Sequence, residues 1–337
     1  MTTRQVALGR SGILSSALGL GCMGMSEFYG PADDTESLKT LERALELGVT
    51  MFDTSNVYGR GHNEQLVGRF LQGKRDRAVI STKFGVVRDP NGPSGSTYDR
   101  GIDNSASYMR QCCEESLKRL RTDYIDLYYV HRLDPETAVE EVIGPMAELV
   151  KEGKIRAIGL SEVSAETLLR ANAVHPIAAL QSEYSLWHRG PEADVIPACR
   201  EAGTTFVPYS PLGRGFLTGA IKEPAALADN DLRLSSPRFQ DENLNHNLRL
   251  LEKIEGLAAS YGCTLGQIAI AWILRQPDGM IPIPGTKRIR YLEENVGAVD
   301  VPLTAEDIRE LGAILAPDAV AGSRHWTPSG GETGEAN

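Results

Sequence analysis

Four side chains able to handle protons fall at or just beyond the ends of successive apolar runs. Asp53 closes VTMFD (49–53), and Tyr58 follows five positions later within FDTSNVYG (52–59). Lys83 lies near the end of AVISTKF (78–84), and His131 ends YIDLYYVH (124–131). Each has an ordinary reading alone: an aspartate capping a turn, a turn tyrosine, a satisfied core histidine. The lysine is harder to dismiss, because an ammonium ending an apolar strand needs a partner. Their joint placement carries the argument. If the runs are parallel strands of one barrel, their C-terminal ends converge on a single site.

The chain supplies the elements that such convergence needs. Further strand-like runs are ALGLGC (17–22), IRAIGLS (155–161), AALQSEY (178–184), TTFVPYS (204–210) and GMIPIP (279–284). Between the runs lie helical patterns at 34–48, 63–73, 104–121, 135–153, 164–174 and 193–203, several ending at Gly48, Gly73, Gly153 or Gly203. Eight strands in βα alternation predict an α/β fold, a (β/α)8 TIM barrel, with a doubly wound open sheet as the alternative. RQVALGRSGILSS (4–16) reads as an N-terminal β-hairpin plugging the barrel bottom. Long stretches at 85–103 and 209–239 read as βα loops on the catalytic face. With no linker dividing the chain, residues 1–320 form one domain, and 321–337 a tail that is at least partly disordered.

Several motifs fail in their context. GLGCMG (19–24) matches G-x-G-x-x-G, but MSEFYGP follows where a pyrophosphate-holding helix should begin. GRFLQGKR (68–75) resembles a phosphate loop, yet Arg75 stands where Ser or Thr would hold magnesium. No close His/Cys/Asp cluster argues for a metal. Across 337 residues the formal charge is −10 and pI near 5.2, which disfavours nucleic acid and anionic membrane as partners. Five cysteines without a CxxC, no signal-peptide h-region and no run of 18 apolar residues fit a reduced, cytoplasmic setting. Oligomeric state is not legible.

FDTSNVYG, STKFG, DLYYVHRLDP, GLSEVS, LQSEYS, PYSPLGRG and IPIPGTKRIRYLEENVGAV, in this order, resemble the aldo-keto reductases over roughly residues 4–315. The flavour is that of the bacterial and plant oxidoreductases related to potassium-channel β subunits. The resemblance implies a (β/α)8 barrel binding NADP(H) without a Rossmann fold, and hydride transfer to a small carbonyl substrate. An alternative within it is a redox-sensing, nicotinamide-binding regulatory subunit with vestigial turnover.

The resemblance also implies roles. Tyr58 would be general acid in reduction and base in oxidation, Lys83 would lower its pKa from about 10 by proximity, Asp53 would hold Lys83, and His131 would orient the carbonyl. Gly21, Cys22 and Met23 would border the cofactor. Ser161 and Gln181 would grip the carboxamide, and Tyr209 would stack on the nicotinamide. The commoner pair is Ser-Asn, whereas this chain has Ser161-Glu162, and a carboxylate cannot donate to the amide carbonyl. Ser210, Leu212 and Arg214 would cover the pyrophosphate. Gly285, Thr286, Lys287, Tyr291, Glu294 and Asn295 would take the adenosine end, where GTKRIR offers cations for a 2′-phosphate. Met25, Phe28, Tyr29 and Trp187 would shape an apolar substrate pocket.

Overall fold

A computed structural model describes residues 4–88, 100–223, 227 and 231–324. The hairpin of β1 (Gln5–Ala7) and β2 (Leu14–Ser16) comes first, then β3 (Leu20–Gly21), α1 (Asp34–Glu46), β4 (Met51–Asp53), α2 (His62–Phe70) and β5 (Val79–Phe84). The loop expected at 85–103 carries an antiparallel pair, β6 (Val86–Arg88) and β7 (Arg100–Ile102); its middle lies outside the described residues. Then follow α3 (Ala106–Leu120), β8 (Ile125–Val130), α4 (Val139–Lys151), β9 (Ile155–Ser161), α5 (Ala165–Val174), β10 (Ile177–Glu183), α6 (Val195–Ala202) and β11 (Thr205–Tyr209). The chain ends through α7 (Asp241–Ser260), α8 (Leu265–Leu274), α9 (Ile289–Gly297) and α10 (Ala305–Ile314).

Capping sets many of these boundaries. Asp33, Ser105 and Ser164 accept from the first-turn N–H groups of α1, α3 and α5, and Thr264 and Thr304 complete capping boxes on α8 and α10. Gly48, Gly73, Gly153 and Gly203 all take left-handed φ of 69–84° just past helix ends. α4 begins at Val139, not at Pro135 as the sequence suggests, because residues 135–136 form a turn closed by Thr137 N–H on the Asp134 carbonyl.

The sheet runs β3-β4-β5-β8-β9-β10-β11, every neighbour parallel. An extended segment at 279–285 fills the eighth position. Ile281 and Ile283 donate to the Phe206 and Pro208 carbonyls at 3.2 and 3.0 Å, while the Pro282 and Pro284 carbonyls accept from Gly19 and Gly21 at 2.9 and 3.3 Å. Proline has no N–H to return, so at Pro282 and Pro284 the seam towards β3 is bonded from the glycine side only. The fold is the (β/α)8 barrel, closed by a segment with no regular ladder.

Side chains alternate across the strands. Leu127 and Tyr129 enter the barrel, while Tyr128 and Val130 join the layer beneath the helices. The N-terminal hairpin brings Leu8 and Ile13 into the interior cluster with Met51, Val79, Ala178 and Ile281, which plugs the bottom. Higher up, the Tyr129 ring fits only because Gly159 faces it: a Cβ there would lie 2.4 Å from the ring.

Candidate active site

Strand register lifts the polar residues to the top of the interior. Asp53 is level with Ser81, Lys83 with Tyr129, and Ser161 with Gln181. Each lies two positions beyond an interior neighbour on its own strand, so the pleat that buries Met51 or Val79 also aims Asp53, Ser81 and Lys83 inward. Lys83 is fully buried and donates to Asp53 Oδ1 at 2.5 Å and to the Thr54 carbonyl at 2.8 Å. Asp53 Oδ2 accepts from Ser81 Oγ at 2.7 Å and Gln181 Nε2 at 2.8 Å. The carboxylate is thus satisfied by one cation and two neutral donors, as a buried charge requires.

Tyr58 leans over this pair. The Lys83 ammonium lies 5.1 Å from its ring centroid, close enough for the two groups to shift each other's protonation. The turn presenting Tyr58 is pinned by Arg88, whose Nη1 donates to the Val57 carbonyl at 2.9 Å and to Glu27 at 2.7 Å. His131 meets Tyr58 edge-on, ring centroids 5.8 Å apart, and its Nδ1 lies 3.3 Å from Ser55 Oγ. The four residues singled out from the sequence therefore form one cluster.

The electrostatics correct one expectation. Burial pushes the Tyr58 phenol above its ordinary value, Lys83 pulls it down, Asp53 pushes it up, and the net direction is upward. Desolvation was not legible in the sequence, and here it outweighs the cation. The phenol is accordingly neutral at pH 7, the form that donates a proton. For Lys83, burial opposes the charge, yet Asp53 and Tyr58 outweigh it and hold the ammonium protonated.

Around the cluster lie residues expected to border a cofactor. Gly21 bridges to Gly285, and Met23 is partly exposed beside Cys22, whose thiol is buried and held neutral by burial. Met23 opens a single 3-10 turn and α1 starts only at Asp34, so GLGCMG has no helix to serve as a dinucleotide fingerprint. Ser161 Oγ accepts from Arg132 at 3.3 Å. Tyr209 ends β11 and Ser210 directly follows it, and Leu212 and Arg214 lie in the next turn. Arg214 donates weakly to Glu183 at 3.3 Å, but its Nη1 is buried without a protein partner. An orphaned guanidinium donor on a partly exposed side chain fits an anionic group such as a pyrophosphate. Lys287 donates to the Tyr29 and Gly30 carbonyls at 2.7 and 3.2 Å, which joins the GTKRIR stretch to the loop after β3. Thr286 bonds within that stretch, Tyr291 is exposed, Glu294 accepts from Thr264 at 2.8 Å, and Asn295 is buried.

Of the residues expected around a substrate, Phe28 and Tyr29 are partly exposed on the first loop. Met25 and Trp187 are buried in packing, Trp187 stacked on Phe216 at 3.9 Å between centroids. Sequence reasoning missed Ser55, Ser81, Arg132, Glu183 and Arg324. The first four sit inside motifs that drew attention to their neighbours. Glu162, placed where Asn is commoner, adopts a left-handed φ of 54° and is wholly committed. Its Oε1 accepts from the Glu183 N–H at 2.9 Å, and both of its oxygens accept from Arg324, at 2.8 and 2.9 Å.

Residues 17–316 match the model of the aldo/keto reductase family. A probable aldo-keto reductase 1 of Glycine max is 44% identical over 323 residues, covering 95% of this chain and 91% of that protein. The NADP(+) aldo-keto reductase yakc of Schizosaccharomyces pombe is also 44% identical, covering 92% and 91%. Among solved structures, a glycerol dehydrogenase from Gluconobacter oxydans superposes with a TM-score of 0.85 at 29% identity, covering 94% of this chain and 97% of that one. An aldo/keto reductase from Klebsiella pneumoniae in complex with NADP and acetate gives 0.71 at 27% identity, covering 94% and 96%.

Proposed function

Because this chain belongs to the aldo/keto reductase family, we propose that it reduces an aldehyde or ketone to the alcohol with NADPH, Tyr58 supplying the proton. The observation that carries this reading is the buried Lys83 ammonium, locked by Asp53 at 2.5 Å and held 5.1 Å from the centre of the Tyr58 ring. NADPH, when bound, supplies the hydride that the carbonyl carbon receives. The chain's residues do the rest. Tyr58 gives its phenolic proton to the carbonyl oxygen, and Lys83, paired with Asp53, stabilises the phenolate left behind. His131, fixed through Ser55, orients that oxygen. In alcohol oxidation the proton returns to Tyr58.

Arg214 and the Lys287 stretch suit the phosphates of NADPH, the orphaned Arg214 Nη1 being the donor in place for them. Ser161 and Tyr209 would meet the nicotinamide end. Support for NADP(H) over NAD(H) comes from the cations of GTKRIR and from the NADP named for the fission-yeast relative and the Klebsiella structure. The test follows NADPH absorbance across a panel of aldehydes and ketones, with alcohols and NADP+ in the reverse direction. Steady consumption is expected; nucleotide binding without turnover on any carbonyl would favour the regulatory-subunit alternative. A fluorescence titration should give tighter binding of NADPH than NADH, and equal affinities would overturn the 2′-phosphate assignment.

A further inference from the structure

The chain does not leave the molecule after α10. Residues 319–324 run back along α7 and are fastened at each step. His246 Nε2 lies 2.8 Å from the Ala319 carbonyl. The buried Asn247 side chain bonds Ala321 in both directions, Nδ2 to its carbonyl at 3.0 Å and Oδ1 from its N–H at 2.9 Å. Arg238 donates to the Gly322 carbonyl at 3.1 Å and to the Trp187 carbonyl at 3.0 Å. Gly322 is needed for this approach: its φ is 88°, and a Cβ there would stand 3.0 Å from the Arg238 backbone.

This strap delivers Arg324 to the barrel mouth. The guanidinium donates to both oxygens of Glu162, to Glu183 Oε2 at 3.0 Å, and to the Tyr209 hydroxyl at 3.0 Å. Those three residues end β9, β10 and β11 or follow them directly. Glu162 and Glu183 are neighbouring buried carboxylates, only 7% and 4% exposed. Left to themselves they would repel; Arg214 reaches Glu183 at 3.3 Å, and Arg132 bears on Glu162 through its charge. Arg324 touches both and the tyrosine as well. Its planar fork suits this shared contact, which one ammonium cannot reproduce.

We propose that Arg324 is a positioning residue, and that the C-terminal strap is the outer support of the nicotinamide platform formed by Ser161-Glu162 and Tyr209. This rests on the reading that Tyr209 faces the nicotinamide of NADPH. Without Arg324, the two adjacent carboxylates keep only the partial cover of Arg132 and Arg214, and their repulsion favours proton uptake or an outward swing of one. The left-handed turn at Glu162, which directly follows Ser161, then loses its tie, and the Tyr209 hydroxyl loses its donor. Cofactor binding suffers first, because none of these groups gives the proton.

The test uses the full chain and Arg324→Met, reading the NADPH Kd by fluorescence titration and the KM and kcat separately with a carbonyl turned over by the wild type. About a tenfold rise in Kd and in KM for NADPH is expected, with kcat changed by less than about twofold. Arg324→Lys should recover part of the loss, since it keeps the charge without the fork. In the double variant Glu162→Gln/Arg324→Met, which removes the stranded charge, Kd should fall back towards the wild-type value. An Arg324→Met protein that binds NADPH within about twofold of wild type overturns the proposal, whatever its thermal midpoint. If Arg324→Met does not fold, an Arg324→Lys Kd equal to wild type overturns it instead. Failure of the wild type itself to bind NADPH would sink the proposed function, an outcome distinct from these.

Discussion

At the foot of the barrel, Leu8 and Ile13 from the hairpin lie against Met51, Val79, Leu127, Ala178 and Ile281. At the mouth, a few residues further along the same inward rows, stand Asp53, Ser81, Lys83 and Gln181, all buried and all hydrogen-bonded to one another through Asp53. The backbone differs in the same sense. Phe28, Arg60, Glu162, Ser210 and Arg214, all at strand ends or in loops of the mouth, take left-handed φ of 50–71°. Among the described residues the only other non-glycine of that kind is Arg121, which caps α3. A single strand such as β5 thus passes from packing to chemistry within its length, Val79 to Ser81 to Lys83. Stability is concentrated below, while strain and desolvated charge are held above, where they are useful.

Substitutions at the two ends should separate these roles. The largest effect is expected for Tyr58→Phe, which removes the proton donor: kcat should fall by at least about a hundredfold with NADPH affinity nearly unchanged. Retained turnover would break the assignment. Lys83→Met should lose turnover as well, and should also cost about 3–5 kcal/mol of stability by stranding Asp53 in the interior. Adding Asp53→Asn should return much of that stability in a denaturant titration and none of the turnover. A double variant that regains activity would contradict the division. Leu8→Ala, at the foot, should cost about 2–5 kcal/mol with kcat untouched while the protein stays folded; a changed kcat would show that the plug is coupled to the mouth.

The smallest effect concerns acid. Burial works to raise the Glu183 carboxyl, but Arg214 and Arg324 hold it well below the ordinary range. A depressed carboxylate contributes stability that is complete above its unfolded pKa, about 4.3, and is lost as pH falls below that value. Glu183→Gln should therefore flatten the decline of the thermal midpoint below about pH 4.5. An unchanged acid limb would mean that the pair at the mouth contributes nothing to stability.

The architecture was largely legible because it rests on local rules. β9 matches the expected 155–161 residue for residue, and the capped helices fall near their expected starts. Asp53, Tyr58, Lys83 and His131 were legible because strand ends of a barrel share one mouth. What escaped is what depends on distant partners. Asp53 draws on Gln181 from four strands away around the barrel, and nothing near either residue announces it. The upward shift of Tyr58 depends on burial, which only the assembled mouth defines. Arg324 sits in a stretch whose composition reads as a tail; its partners Glu162 and Glu183 lie more than a hundred positions earlier. Residues 325–337 of the expected tail lie outside the described residues.

The proline-interrupted segment at 281–284 has a kinetic consequence. It closes the ring between Gly21 and Gly285, groups separated by most of the chain, so the loop entropy of that contact is the greatest the sheet must overcome. Along its β3 side, Gly19 and Gly21 donate to proline carbonyls, and the two prolines have no N–H to return. The barrel is therefore zipped along six strand-to-strand ladders and latched along the segment's two further seams, of which the β3 line lacks the donors of both prolines. That line should be the last to form in refolding and the first to admit deuterium, at the amides of Gly19 and Gly21.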